Sequence, residues 1–102
     1  MVIVLLPAYN EEKSFPPLME KLSKTLTHTG EKFKLIVCND GSSDHTDKML
    51  LEYSRKLPIE IIKHPINRGF GESSKDLFER AAEIGSDGDI IIRMDCDDTH
   101  EP

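Results

Sequence analysis

Asp95, Asp97 and Asp98 place three carboxylates shortly after the apolar run 90–92. Like charges crowded at the end of a buried strand make ionisation costly, and a divalent cation relieves that cost. Magnesium takes one or two carboxylates with water and phosphate oxygens, and manganese accepts the same hard oxygen ligands. The group therefore reads as a candidate Mg2+ or Mn2+ site, with a solvated acidic tail as the alternative. Two more polar segments follow apolar runs, Pro7-Ala8-Tyr9-Asn10-Glu11-Glu12 and Asn39-Asp40-Gly41-Ser42-Ser43-Asp44. Tyr9 offers a flat face to a nucleobase, Glu11 and Asp40 offer acceptors to base or ribose, and Gly41 permits close backbone approach. The alternatives are a half-buried aromatic at a strand end and an ordinary turn with a helix cap.

A further segment, His64-Pro65-Ile66-Asn67-Arg68-Gly69-Phe70-Gly71, sets two glycines ahead of a helical pattern. Backbone N–H groups there could face an anion, and Arg68 a phosphate, although an arginine in such a place is by default a surface residue. The absence of GxGxxG after the first apolar run argues against a nicotinamide or flavin site, and there is no GxxxxGK[ST] phosphate loop.

The elements that must position these residues follow from periodicity. Short β-branched runs at 2–6, 33–38, 59–62 and 90–92 predict four buried strands. Between them lie helical spacings: Phe15, Met19, Leu22 and Leu26; then Met49, Leu50 and Tyr53; then Leu77, Phe78, Ala81 and Ala82. Ser14 is placed to start the first helix, Ser43 or Asp44 to cap the second, and Gly85 to end the third. Continuous rather than alternating apolar strands imply a parallel sheet covered on both faces with right-handed crossovers, a Rossmann-like α/β architecture. Ligands of such sheets bind outside the carboxyl ends of the strands, where all these polar segments fall.

Composition narrows the partners. With 13 basic and 19 acidic residues the formal net charge is -6, which argues against a nucleic-acid surface. The apolar run 2–6 is far short of the ~20 residues that span a bilayer and lacks a signal-peptide pattern, so a cytoplasmic chain is expected. Cys38 and Cys96 lack metal or redox spacing and read as reduced structural thiols. At 102 residues the chain holds one domain.

Taken together, Pro7-Ala8-Tyr9-Asn10-Glu11, Asp40-Gly41-Ser42-Ser43-Asp44, Asn67-Arg68-Gly69 and Asp95-Cys96-Asp97-Asp98 resemble glycosyltransferase family 2 in order and in position at strand ends. The resemblance implies a truncated GT-A nucleotide-diphospho-sugar transferase fold with strand order 3-2-1-4. It implies that residues 1–102 form the nucleotide-sugar-binding half, with the acceptor-binding half absent. Pro7, Tyr9, Glu11, Cys38, Asp40 and Gly41 would surround a UDP- or GDP-linked sugar, Cys38 through its backbone. Asp95 and Asp97 would hold the metal and, through it, the donor. Asn39 stands where the family usually has aspartate, which puts that position's role in doubt. The ending Asp97-Asp98-Thr99-His100-Glu101-Pro102 and the Gly69-Phe70-Gly71 pair look most like dolichol-phosphate mannose synthases and other polyprenyl-phosphate glycosyltransferases.

On that reading a metal stabilises the departing diphosphate, and a lipid-phosphate acceptor, reached at a membrane through a C-terminal part, needs no deprotonation. No general base is identifiable. A non-catalytic fragment or interaction module is the competing expectation, and a phosphorylated receiver-like domain is a weaker one, because the acidic cluster follows the fourth strand. The sheet order sets Cys38 and Cys96 two strands apart, about twice the ~4.8 Å spacing, too far for a disulfide. Arg93 in a buried strand should pair with an acid or contact diphosphate. Apolar sheet surface left uncovered should promote self-association.

Overall fold

The computed structural model describes residues 1–94. Their elements run β1 (Val2–Ala8), α1 (Phe15–Thr29), β2 (Phe33–Asp40), α2 (Thr46–Ser54), β3 (Ile59–His64), α3 (Phe70–Ile84) and β4 (Ile90–Arg93). All neighbouring strands are parallel, and the sheet order is β3-β2-β1-β4, as expected. Pro7 has no N–H to donate, but it lies two residues past Leu5, the last β1 residue paired with β4. None of the described rungs on that side requires its donor.

The alternation of side chains along each strand divides the core between two faces. Val4, Leu6, Ala8, Leu35 and Val37 meet Phe15, Leu18, Met19 and Leu26 of α1 and Leu50 of α2. Ile3, Leu5, Ile36 and Cys38 point the other way, onto Leu77 and Ala81 of α3. Phe15 and Tyr53 pack edge to face, with ring centroids 5.6 Å apart, and so join α1 to α2. No helix of the described residues is long and apolar enough to cross a membrane.

Ser14 holds the cap position of α1, as expected, without a side-chain cap bond; its hydroxyl donates to Glu11 Oε2 at 2.6 Å. Two expectations are corrected. At α2 the cap position belongs to His45, while Asp44 Oδ1 accepts the Thr46 N–H at 2.9 Å from one residue earlier. In α3, Leu77 and Ala81 are fully buried, but Phe78 is 48% exposed and Ala82 is exposed, so the buried stripe is narrower than its apolar spacing suggests. Ser73 shares that stripe.

The largest departure is β4, whose four residues are all exposed, with Ile90, Ile91 and Ile92 at 58, 44 and 41%. Among the described residues it is an edge strand with β1 as its single neighbour in the sheet, so apolar composition alone did not imply burial. Arg93 accordingly avoids the desolvation cost that made it anomalous, because its strand is solvated.

Candidate functional site

The β1 and β2 loops are knitted together at the carboxyl edge of the sheet. Asn10 adopts a left-handed backbone, φ 52°, a conformation asparagine tolerates better than most residues. Its side-chain oxygen accepts the N–H groups of Ser43 and Asp44 at 2.8 and 3.3 Å, and its own N–H donates to Ser42 Oγ at 3.0 Å. One residue on, the Glu11 N–H donates to Thr46 Oγ1 at 2.9 Å, and the Glu12 N–H reaches Asp44 Oδ2 at 3.4 Å. Asp44 is held below its ordinary pKa: burial pushes it up, but the Thr46 hydroxyl and backbone N–H, with the Glu12 N–H, outweigh that.

Asn39, the departure from the family pattern, has a local explanation. Its amide oxygen accepts the Ser42 hydroxyl and N–H, while its Nδ2 donates to Asp47 Oδ1 at 3.3 Å. An aspartate could not donate that last bond and would face Asp47 as a like charge.

Asp40 ties in the third loop from beneath. Its Oδ1 accepts the Arg68 N–H at 2.8 Å, its Oδ2 accepts the Gly69 N–H at 2.9 Å, and its backbone carbonyl accepts Asn67 Nδ2 at 3.4 Å. Gly69 is the cap position of α3, so the anion facing this helix start is the chain's own Asp40 carboxylate. Gly41, at φ 69°, allows the same approach: a Cβ there would lie 2.3 Å from Asn67 N and 2.4 Å from Ile66 C.

Beneath this loop lies a polar cluster absent from the sequence expectations. His64 ends β3, is 4% exposed, and presents Nδ1 to Asp40 Oδ1 at 2.7 Å and Nε2 to Asp76 Oδ2 of α3 at 2.6 Å. A neutral imidazole has one N–H, so a ring with ionised carboxylates at both nitrogens is an imidazolium. The bonds to Asp40 and then Asp76 raise the His64 pKa against the opposing effect of burial. Asp40 is lowered: burial works against ionisation, but the Arg68 N–H, His64 and the Gly69 N–H overcome it. Its fractional exposure is 4%. Most of its acceptor capacity is thus used internally.

The other expected site residues are distributed as follows. Tyr9 is 46% exposed on the rim just past β1, and Glu11 beside it is partly buried, with one carboxylate oxygen taken by Ser14. Pro7 and Cys38 are register partners in β1 and β2. The Cys38 side chain is fully buried on the α3 face, and burial pushes its thiol pKa up. We expect iodoacetamide to alkylate Cys38 at least ~100-fold more slowly in the native chain than in urea, read by peptide mass. Asp95 and Asp97, the expected metal pair, and Cys96 lie outside the described residues. Among the described residues no group of three His, Cys, Asp or Glu side chains is placed to hold a metal. An open groove of about 490 Å³ runs between α1 and α2, lined by Met19, Tyr53 and Leu57 among others, near the amino end of β3 and away from this rim.

A parallel α/β sheet with polar loops joined at its carboxyl edge is of the doubly wound type, a class in which ligands bind at that edge. Residues 3–102 match Glycosyl transferase family 2, and the chain belongs to that family. The undecaprenyl-phosphate 4-deoxy-4-formamido-L-arabinose transferase of Proteus mirabilis (strain HI4320) is 36% identical over 101 residues, 99% of this chain. The chain spans 30% of that relative's length. Among solved structures, S. aureus TarS 1-349 in complex with UDP has a TM-score of 0.74 at 24% identity, covering 94% of this chain and 27% of that one. The mannosyltransferase PcManGT from Pyrobaculum calidifontis, in complex with GDP-Man and Mn2+, has a TM-score of 0.63 at 19% identity, with 94 and 27% coverage. These two likenesses show the fold, which is the GT-A arrangement expected.

Proposed function

We propose that the chain binds the nucleotide-diphospho-sugar donor of a glycosyl transfer at the carboxyl edge of its sheet. The observation that carries this reading is the joining, through Asn10 and Asp40, of the three loops bearing Tyr9 and Glu11, Gly41, and Arg68. Tyr9 is exposed and free to stack on a base, and Glu11 keeps one carboxylate oxygen available for a base or ribose hydroxyl. The Arg68 guanidinium, on a loop whose backbone is fixed, is suited to a diphosphate oxygen.

Asp95 and Asp97 supply hard oxygen donors for Mg2+ or Mn2+, which would neutralise charge on the leaving diphosphate. The GDP-Man and Mn2+ complex of the Pyrobaculum neighbour supports this choice of ligand and ion. The UDP and UDP-GlcNAc complexes of TarS keep a uridine donor equally in view. The name of the Proteus relative supports a polyprenyl-phosphate acceptor, whose phosphate is already anionic and requires no general base. The exposed isoleucines of β4 are the ground for expecting self-association along that edge.

Calorimetric titration with UDP and with GDP, each with and without Mn2+, tests the proposal. Heat is expected with at least one nucleotide, with affinity raised on the order of tenfold by the metal. Asp95→Asn with Asp97→Asn should abolish the metal-dependent gain while the metal-free affinity persists. No heat with either nucleotide would remove the donor site.

A further inference from the structure

His64 stands in none of the loops that meet solvent, yet it contacts both the Asp40 carboxylate and Asp76 of helix α3 through opposite ring nitrogens. Asp40 in turn fixes the Arg68 and Gly69 backbone. The chain of contacts Asp76–His64–Asp40–Arg68 therefore runs from the middle of α3 to the loop that carries the candidate phosphate contact.

We propose that His64 is a positioning residue for phosphate binding: as an imidazolium it ties Asp76 to Asp40, fixes the Arg68–Gly69 backbone, and offsets the Asp40 charge next to a donor diphosphate. The inference rests on the donor-site reading above. With the ring protonated the three groups carry one net negative charge, and with it neutral they carry two. Loss of the proton also removes one charge-assisted bond from a carboxylate that is 4% exposed. Both changes act against an incoming polyanion.

Among the described residues, the groups facing the ring are Cys38 and Asp40 from β2 and Asp76 from α3. The Cys38 Sγ is 3.9 and 3.8 Å from Nδ1 and Nε2, and burial keeps its thiol neutral. Glu60, Arg80 and Lys34 form a separate ion cluster on the same face, one α3 turn away, where Arg80 grips Glu60 through two nitrogens. Lys63, the neighbour of His64 in β3, points to the opposite face and bonds Asp47 of α2.

The test uses the full chain, followed by 1H–15N spectra and by calorimetry with UDP and GDP in the presence of Mg2+ across the titration of the His64 ring. The Arg68 and Gly69 amide signals should follow the ring midpoint, and the nucleotide dissociation constant should rise about tenfold through it. Asp76→Asn keeps an acceptor at Nε2 but removes a charge, so both midpoints should move to lower pH together. The nucleotide's own phosphate titration is the same for either protein and cannot produce that movement. His64→Asn, which can still donate to Asp40 without a charge, should bind at every pH with the weakened affinity of the deprotonated wild type. Amides that ignore the ring titration, or an affinity step unmoved by Asp76→Asn, would overturn the proposal. Binding at no pH, with the amides still following the ring, would instead defeat the donor-site reading and leave the coupling of His64 to the loop intact.

Discussion

Gly41→Ala should destabilise the chain by at least about 3 kcal/mol, the sum of left-handed backbone strain and a steric overlap that cannot relax cheaply. Gly41 has φ 69°, where a side chain costs roughly 1–2 kcal/mol. The new Cβ would also sit 2.3 Å from Asn67 N, 2.4 Å from Ile66 C and 2.9 Å from Ile66 Cα, all of them backbone atoms. That segment is not free to retreat, because Asn67 Nδ2, the Arg68 N–H and the Gly69 N–H are all bonded to Asp40, the residue before the glycine. Gly30 provides the control. Its φ is 73°, but nothing lies within 4 Å of the position its Cβ would take. Gly30→Ala should therefore cost only the backbone strain, about 1 kcal/mol. Asparagine separates the two terms further: it tolerates the left-handed region, so Gly30→Asn should recover most of the loss, whereas Gly41→Asn should not. Urea unfolding of the four variants measures this directly. If Gly41→Ala proves no worse than Gly30→Ala, the Ile66–Asn67 segment is not held against β2 in the way described.

The glycine also shows what the sequence could and could not convey. The apolar runs in β1 and β2 and the helical spacing of α1 reflect local pattern, and strand order followed from resemblance to a family whose motifs are spaced along the chain. Gly41 was legible as a place where something comes close, but the neighbour proved to be the chain itself, a contact 25 and 26 positions away that no local pattern encodes. Asp40 was likewise legible as a rim carboxylate, but its partners Arg68, Gly69 and His64 arrive from another loop and strand.

His64 and Asp76 were missed because each is unremarkable alone. A joint signal did exist: Glu60 and His64 share one face of β3, Asp76 and Arg80 share one face of α3, and the two pairs match in charge when helix and strand run in opposite directions. Recognising it required knowing that α3 packs on that face. The exposure of β4 was legible only through the sheet order. Ile90, Ile91 and Ile92 have the composition of a central strand, and it is the order 3-2-1-4 implied by the family resemblance that makes them an edge with uncovered apolar surface.

Asp40→Ala carries the other large expectation, a loss of about 3 kcal/mol together with a change in the shape of the stability–pH curve. Removing the carboxylate leaves the Arg68 and Gly69 N–H groups without their acceptor and a buried imidazolium with one counter-ion instead of two. The sign of the pH effect follows from the two shifts. Asp40 is lowered from 3.8, so its contribution is complete above that value and is lost as pH falls through the folded pKa. His64 is raised from 6.5, so its contribution is complete below that value and is lost as pH rises through the folded pKa. The pair therefore stabilises the wild type most between 3.8 and 6.5, with a decline on each side. In Asp40→Ala the acid decline due to this residue should vanish, whereas the alkaline decline should shrink without disappearing, because Asp76 still holds Nε2. Asp40→Asn distinguishes charge from hydrogen bonding: its amide oxygen can accept one of the two backbone N–H groups, so it should lose less stability than alanine while flattening the same limbs. Urea midpoints measured at intervals from acid to alkaline pH for the three proteins decide the matter. Parallel curves for wild type and Asp40→Ala would mean that His64 is not ionised through Asp40.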